Sequence, residues 1–351
     1  MTKTPPEDDD YLWDRSGEPD PEVVRLESLL ALLRHRGSVP ALPPRRRVLA
    51  PRVMTWIVPA LSVAAALLLV AAGAWFVFGI ARSGWSVQSI AGTPVVDGAP
   101  LSGGRGDGVA AGKTARLGVG EWLVTDGASR ARIAVGQIGR VDVEPNTRMQ
   151  LVEARGREHR MSLARGTIHA RIWAPPKFFY VNTPSAVAID LGCEYTLQVD
   201  DAGGGLIRVT SGWVEFESDG RQSFVPEGAM CATRPAFGPG TPRYEDAPSG
   251  YGEALTILDF GRPDDPRRAA ALDLVISSAR LHDGLTLWHL LTRGKPEERA
   301  RVYDRLATLA PPPSGVTREA VLRGDRRALD QWWDALGLQT GTWWKLLKKK
   351  F

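Results

Sequence analysis

An uncharged apolar run from Met54 to Ala81 dominates the pattern of this chain. It is longer than the roughly 20 residues an α-helix needs to cross a bilayer, so it predicts a transmembrane helix over residues 53–81. Trp56 near one end and Trp75, Phe76, Phe78 and Trp85 near the other suit the two interfaces, where aromatic rings anchor. Ahead of the run, Val23, Leu26, Leu29, Leu30 and Leu33 recur at helical spacing among polar residues. Asp20 as N-cap, Pro21 in the first turn and Gly37 at the far end predict one amphipathic helix there. From about residue 83 to 235, short β-branched and aromatic runs alternate with polar positions, as in 130–135, 140–143, 194–199, 206–209 and 213–216. Turns rich in Gly and Asp separate them, at 200–205 and 218–220 for example. This texture argues for a β-sandwich or β-roll. Beyond the Gly/Pro loop 237–242 the helical period returns. Ala271, Leu274, Val275 and Ala279 form one face, Leu285, Leu287, Trp288 and Leu291 a second, and Val302, Leu306 and Leu309 a third. Trp332 and Trp333 follow in another such segment, which predicts a small helical bundle or a few helical repeats.

Charge assigns sides to these segments. Arg34, Arg36, Arg45, Arg46, Arg47 and Arg52 precede the apolar run, while only Arg82 follows it closely. Lys and Arg collect on the cytoplasmic side, so the N-terminus is expected inside and the bulk outside. The first 30 residues are acidic and residues 31–52 are basic, which predicts a solvated start and a linker held near anionic headgroups. The expected division is therefore 1–52 inside, 53–81 spanning, 82–236 as an outer β domain and 237–351 as an outer helical domain. The leucine face of the inner helix has no intrachain partner in the pattern. It would dock onto a cytoplasmic protein, pair with its twin in a dimer, or lie on the inner leaflet. A net charge of +4, with no basic stripe interleaved with aromatics, argues against nucleic acid as a partner.

An ordered set of short pieces carries a resemblance. These are 120–125 (Gly-Glu-Trp-Leu-Val-Thr), 130–133 (Arg-Ala-Arg-Ile), 141–147 (Val-Asp-Val-Glu-Pro-Asn-Thr), 163–168 (Leu-Ala-Arg-Gly-Thr-Ile), 179–184 (Phe-Tyr-Val-Asn-Thr-Pro) and 212–214 (Gly-Trp-Val). In this order they resemble the FecR domain, over about residues 100–232. The resemblance implies a single-pass bacterial inner-membrane regulator. Its periplasmic half would receive an envelope signal from a partner the sequence leaves unknown, and its cytoplasmic half would control an extracytoplasmic-function sigma factor. The rival expectation is a scaffold anchored in the inner membrane, whose β domain binds a polymer or an assembly partner. Zinc-binding anti-sigma domains need His and Cys ligands, and no Cys precedes the apolar run, so that fold is excluded.

Candidate chemistry is sparse. Cys193 and Cys231 both fall in the outer β domain, where an oxidising compartment favours a disulfide; the alternative is two buried thiols. Gly108 to Thr114 imitates a phosphate-binding loop, but only three residues separate its glycines where four are required. It reads as a glycine-rich turn, and the tripeptide Arg105-Gly106-Asp107 beside it as a chance match. His35, His159, His169, His282 and His289 show no metal-ligand spacing, and no nucleophile set can be assembled, so neither an enzyme nor a cofactor is expected. The tail holds Trp343, Trp344, Lys345, Lys348, Lys349 and Lys350, an interfacial composition that would meet the outer leaflet. Alternatively the tryptophans close the helical bundle and the lysines are solvated.

Overall fold

The computed structural model describes residues 19–33, 84–101, 114–156 and 158–338. One short helix, α1 (Pro21–Leu30), with a 3₁₀ turn over Ala31–Leu33, belongs to one unit. Everything from Gly84 onward belongs to a second.

The second unit opens with strands. They are β1 (Gly84–Ala91), β2 (Val95–Val96), β3 (Ala99–Pro100), β4 (Thr114–Gly118), β5 (Trp122–Val124), β6 (Arg130–Val135), β7 (Gly139–Val143), β8 (Arg148–Arg155) and β9 (Glu158–Ile172). Then come β10 (Phe179–Asn182), β11 (Val187–Asp190), β12 (Glu194–Val199), β13 (Gly205–Ser211), β14 (Trp213–Ser218), β15 (Arg221–Pro226), β16 (Ala229–Arg234), β17 (Gly238–Pro239) and β18 (Arg243–Tyr244). Two sheets result. The first runs β4–β1–β6–β7–β9–β12–β13–β16, with β17 and β18 both paired to β16. The second runs β3–β2–β5–β8–β9–β10–β11–β14–β15. Among the described pairings only β9–β10 is parallel. Period-2 alternation sends Ile133, Val141, Ile168, Leu197 and Ile207 of the first sheet and Met149, Leu163, Val181 and Phe216 of the second into one core.

β9 is common to both sheets. Its first half pairs with β8 and β10, and its second half with β7 and β12. A bulge opposite Arg148 and Met149 and then Gly166 make the corner. Gly166 holds φ +99°, and a Cβ there would fall inside Thr147. The threonines of the family-like pieces sit at this corner. Thr147 N–H donates to Thr125 Oγ1 at 2.9 Å, Thr125 Oγ1 donates to Glu144 O at 2.7 Å, and Thr167 N–H donates to Thr147 Oγ1 at 3.0 Å. Similarly, Thr183 Oγ1 donates to Ala186 O at 2.8 Å and closes the turn between β10 and β11.

Helices follow: α2 (Tyr251–Phe260), α3 (Arg268–Ser278), α4 (Gly284–Arg293), α5 (Pro296–Leu309), α6 (Arg318–Leu322) and α7 (Arg326–Ala335). Local chemistry sets their starts. Thr317 accepts from Ala320 N–H, Asp325 accepts from Arg327 and Ala328 N–H, and Pro296 occupies the first turn of α5. Their inward faces, including Tyr251, Leu255, Val275, Leu287, Leu306 and Trp332, make a second core. The bundle is joined to the β part through Trp333. Its ring lies 5.8 Å from Phe224, 6.2 Å from Trp213, 4.6 Å from Trp288 and 5.7 Å from His289.

The expected composite of a β domain, a membrane-spanning helix and a helical domain is corrected here. The described chain is mainly β, with short helices in its C-terminal part, and no described helix is long and apolar enough to cross a membrane. The longest of them, α5, has 14 residues and six charged side chains in its sequence PEERARVYDRLATL. Residues 53–81 lie outside the described residues, and the single-pass inner-membrane placement, with its cytoplasmic and periplasmic sides, is not retained. The strands also run past 236: β17 and β18 complete the first sheet within the stretch expected to be helical.

Candidate functional site

α1 is built by local rules alone. Asp20 Oδ1 accepts the Glu22 N–H at 2.7 Å, Pro21 follows with its fixed φ, and Glu22 places an acid in the first turn. No residue of the helix is buried. Leu26, Leu29, Leu30 and Leu33 are 57%, 63%, 57% and 79% exposed, and Val23 is half-buried. At 100° per residue these five fall on one side, with Arg25 and Ser28 opposite. Each leucine would contribute about 1.5–3 kcal/mol if a partner covered it fully. Exposed alone, the stripe is an unmet hydrophobic demand.

The other anticipated residues are separate from this helix and from each other. Cys193 and Cys231 are not bridged: both are buried free thiols. Cys193 lies at the turn entering β12 and donates to Asp190 Oδ2 at 2.7 Å. Cys231, in β16, donates to Gly240 O at 3.2 Å. Each thiol is held by its own acceptor within the core. Burial pushes both thiols up, Cys231 to about 12, so neither is a ready nucleophile. Burial likewise pushes the Asp190 carboxyl up to about 7, against the bonds from Cys193 and Gly192. The tail residues Trp343, Trp344, Lys345, Lys348, Lys349 and Lys350 lie outside the described residues, as do Arg105-Gly106-Asp107 and the glycine-rich turn up to Lys113.

A polar seam links the bundle to β15. Burial, then the Arg293 charge, pulls His289 well below the ordinary histidine range, so its ring is neutral. Its Nε2 accepts the Phe224 N–H at 3.1 Å, which leaves Nδ1 to donate to Leu285 O at 2.9 Å. With both nitrogens occupied by backbone, this ring fixes α4 against the sheet. Arg293 donates to Ser223 Oγ at 2.7 Å and to Gln222 O. Asp259 accepts from Arg221 at 2.8 Å and from Thr241 N–H at 2.6 Å. These groups satisfy one another except at Arg221 Nε, which is buried without a hydrogen-bond partner. Among the described residues no group of three or more His, Cys, Asp or Glu could hold a metal ion.

On the far side of α2 lies a cleft of about 330 Å³, between that helix and the outer face of the first sheet. Leu206, Met230, Leu255 and Phe260 give it apolar walls, and Thr241, Arg243, Glu253, Thr256 and Asp259 give it polar ones, the Asp259 carboxylate being already engaged by Arg221 and Thr241. The sequence pattern did not single out these residues. Arg243 is carried by a two-residue strand, and only the register reveals its neighbours.

No family model and no curated protein matches the chain. Two crystal structures of a candidate anti-sigma factor from Parabacteroides distasonis ATCC 8503, at 1.65 and 2.50 Å resolution, are similar to it at 14% identity and a TM-score of 0.32 each. The matches cover 38% and 39% of this chain and 63% and 64% of theirs, so this chain spans less than two thirds of their length. A TM-score of 0.32 is too low to show a shared fold.

Proposed function

We propose that the protein is a regulator that holds a sigma factor through the leucine face of α1, with the β unit as its sensing body. The exposed stripe Leu26, Leu29, Leu30 and Leu33 on a well-capped helix carries this reading. An amphipathic helix with one apolar side is suited to lie in an apolar groove of a partner. The ordered pieces that resemble the FecR domain support the regulatory half of the proposal, since that family controls extracytoplasmic-function sigma factors.

The test is capture of sigma factors by the full-length chain, compared with Leu26→Asp/Leu30→Asp. Two carboxylates set against an apolar groove each cost several kcal/mol, so capture should fall by at least 100-fold while the fold from Gly84 onward is unchanged. Undiminished capture by the variant would remove α1 as the docking surface. Recovery of an assembly component and no sigma factor would replace regulation with the scaffold reading.

A further inference from the structure

Strand register puts Arg208 of β13, Met230 of β16 and Arg243 of β18 side by side, in one row across the outer face of the first sheet. The same row, which starts at Thr114 of β4 and Gln88 of β1, includes Arg132, paired to Asp142 at 2.5 Å, and His169, whose ring nitrogen meets Thr196 Oγ1 at 2.8 Å. In the neighbouring rows Arg130 is 3.0 Å from Glu144, and Arg171 is paired with Glu194. On this face Arg130, Arg132 and Arg171 are matched to carboxylates, while Arg116, Arg140, Arg208, Arg234 and Arg243 take part in no ion pair among the described residues. Of these, Arg208 and Arg243 share one row, with only Met230 between them. Arg243 donates only to the Tyr244 carbonyl, at 3.4 Å.

Arg243 is half-buried; Arg208 is near enough to repel it and Glu245 near enough to attract it, though no ion pair forms between Arg243 and Glu245. Two like charges beside a partly dry surface are unfavourable unless an anion lies between them. Space for one is present. The guanidinium rests over Gly252 of α2, where a Cβ would be 3.0 Å from its nitrogen, and it opens on the 330 Å³ cleft walled by Leu206, Met230, Leu255 and Phe260. That volume holds about ten water-sized groups at ~30 Å³ each, the lower end of the range for ligand pockets. Glu253 also lines the cleft and forms no ion pair with Arg243, so it would compete with a bound anion rather than replace it.

We infer that this cleft binds a small organic anion, a carboxylate or phosphate monoester carrying an apolar arm of roughly eight carbons, with the head on Arg243 and Arg208 and the arm among Leu206, Met230, Leu255 and Phe260. The site is independent of the α1 reading, and the assay below involves no protein partner, so either can fail without the other. Isothermal titration of the full chain with octanoate and with octyl phosphate distinguishes the two head groups. At least one should bind saturably at 1:1. Acetate, inorganic phosphate and 1-octanol, which lack either arm or charge, should bind at least tenfold more weakly. Arg243→Gln should weaken binding at least tenfold, and Glu253→Gln should tighten it. Arg208→Gln, at an exposed position, supplies the same test if Arg243→Gln does not fold by circular dichroism. Absence of saturable binding by both amphiphiles overturns the inference, as does wild-type affinity in the folded arginine variants.

Discussion

At the scale of single residues, the buried carboxyl of Asp190 sets a pH response. Its oxygens accept from Gly192 N–H and Cys193 Sγ, both at 2.7 Å, and Lys177 N–H binds its backbone carbonyl at 3.0 Å. Burial still dominates and lifts it from an ordinary 3.8 to about 7. Between those values the folded chain retains a proton that the unfolded chain has lost. The protonated carboxyl's contribution is therefore complete below pH 3.8 and disappears as pH rises through 7. Asp190→Asn removes the titration. Relative to wild type, the variant should gain stability between pH 5 and pH 8 in urea unfolding, whatever its offset at pH 5. A stability difference constant over that range would show that Asp190 does not titrate there.

Among the elements, β9 is the most exacting. Gly166 combines a left-handed φ with a space already filled by Thr147. Gly166→Ala should cost about 3 kcal/mol or more in chemical denaturation, from strain plus overlap. Gly220, at φ +77° with nothing nearby, is the control, and its alanine variant should cost about 1 kcal/mol. Equal losses would mean that the corner can relax. Elements of this kind were legible in the sequence to different depths. Period-2 runs such as Arg130–Val135 and the cap at Asp20 were readable because local chemistry decides them. The corner inside β9 was not, since residues 163–168 read as one ordinary strand and the partner exchange is a long-range event. β17 is a Gly-Pro pair and β18 an Arg-Tyr pair, each only two residues long, so nothing local marks them as strands. The thiols misled because compartment chemistry cannot say where two Cβ atoms point. The row of Arg208, Met230 and Arg243 needs register, which single-strand patterns do not contain.

For the whole molecule, the joint between sheet and bundle decides cooperativity. Trp333 touches rings from β14, β15 and α4, and Leu285 and Trp333 belong to the same core as the β strands. Sheet and bundle should therefore unfold together in a single transition. Trp333→Ala should cost about 3–5 kcal/mol and separate the loss of helical from β circular dichroism on heating. Coincident curves in that variant would place the coupling elsewhere, at the Arg293 and Asp259 seam. The corner of β9 has a consequence at this scale too. Inward side chains are odd-numbered on its first half, Met161 and Leu163, and even-numbered on its second, Ile168, Ala170 and Ile172. The strand thus changes parity as it changes sheet. Losing or gaining one residue between 164 and 167 would turn one whole half inside out, sending its core to water and its charges inward. Chain length at that point is fixed to the residue, in a molecule whose surface turns can be lengthened freely.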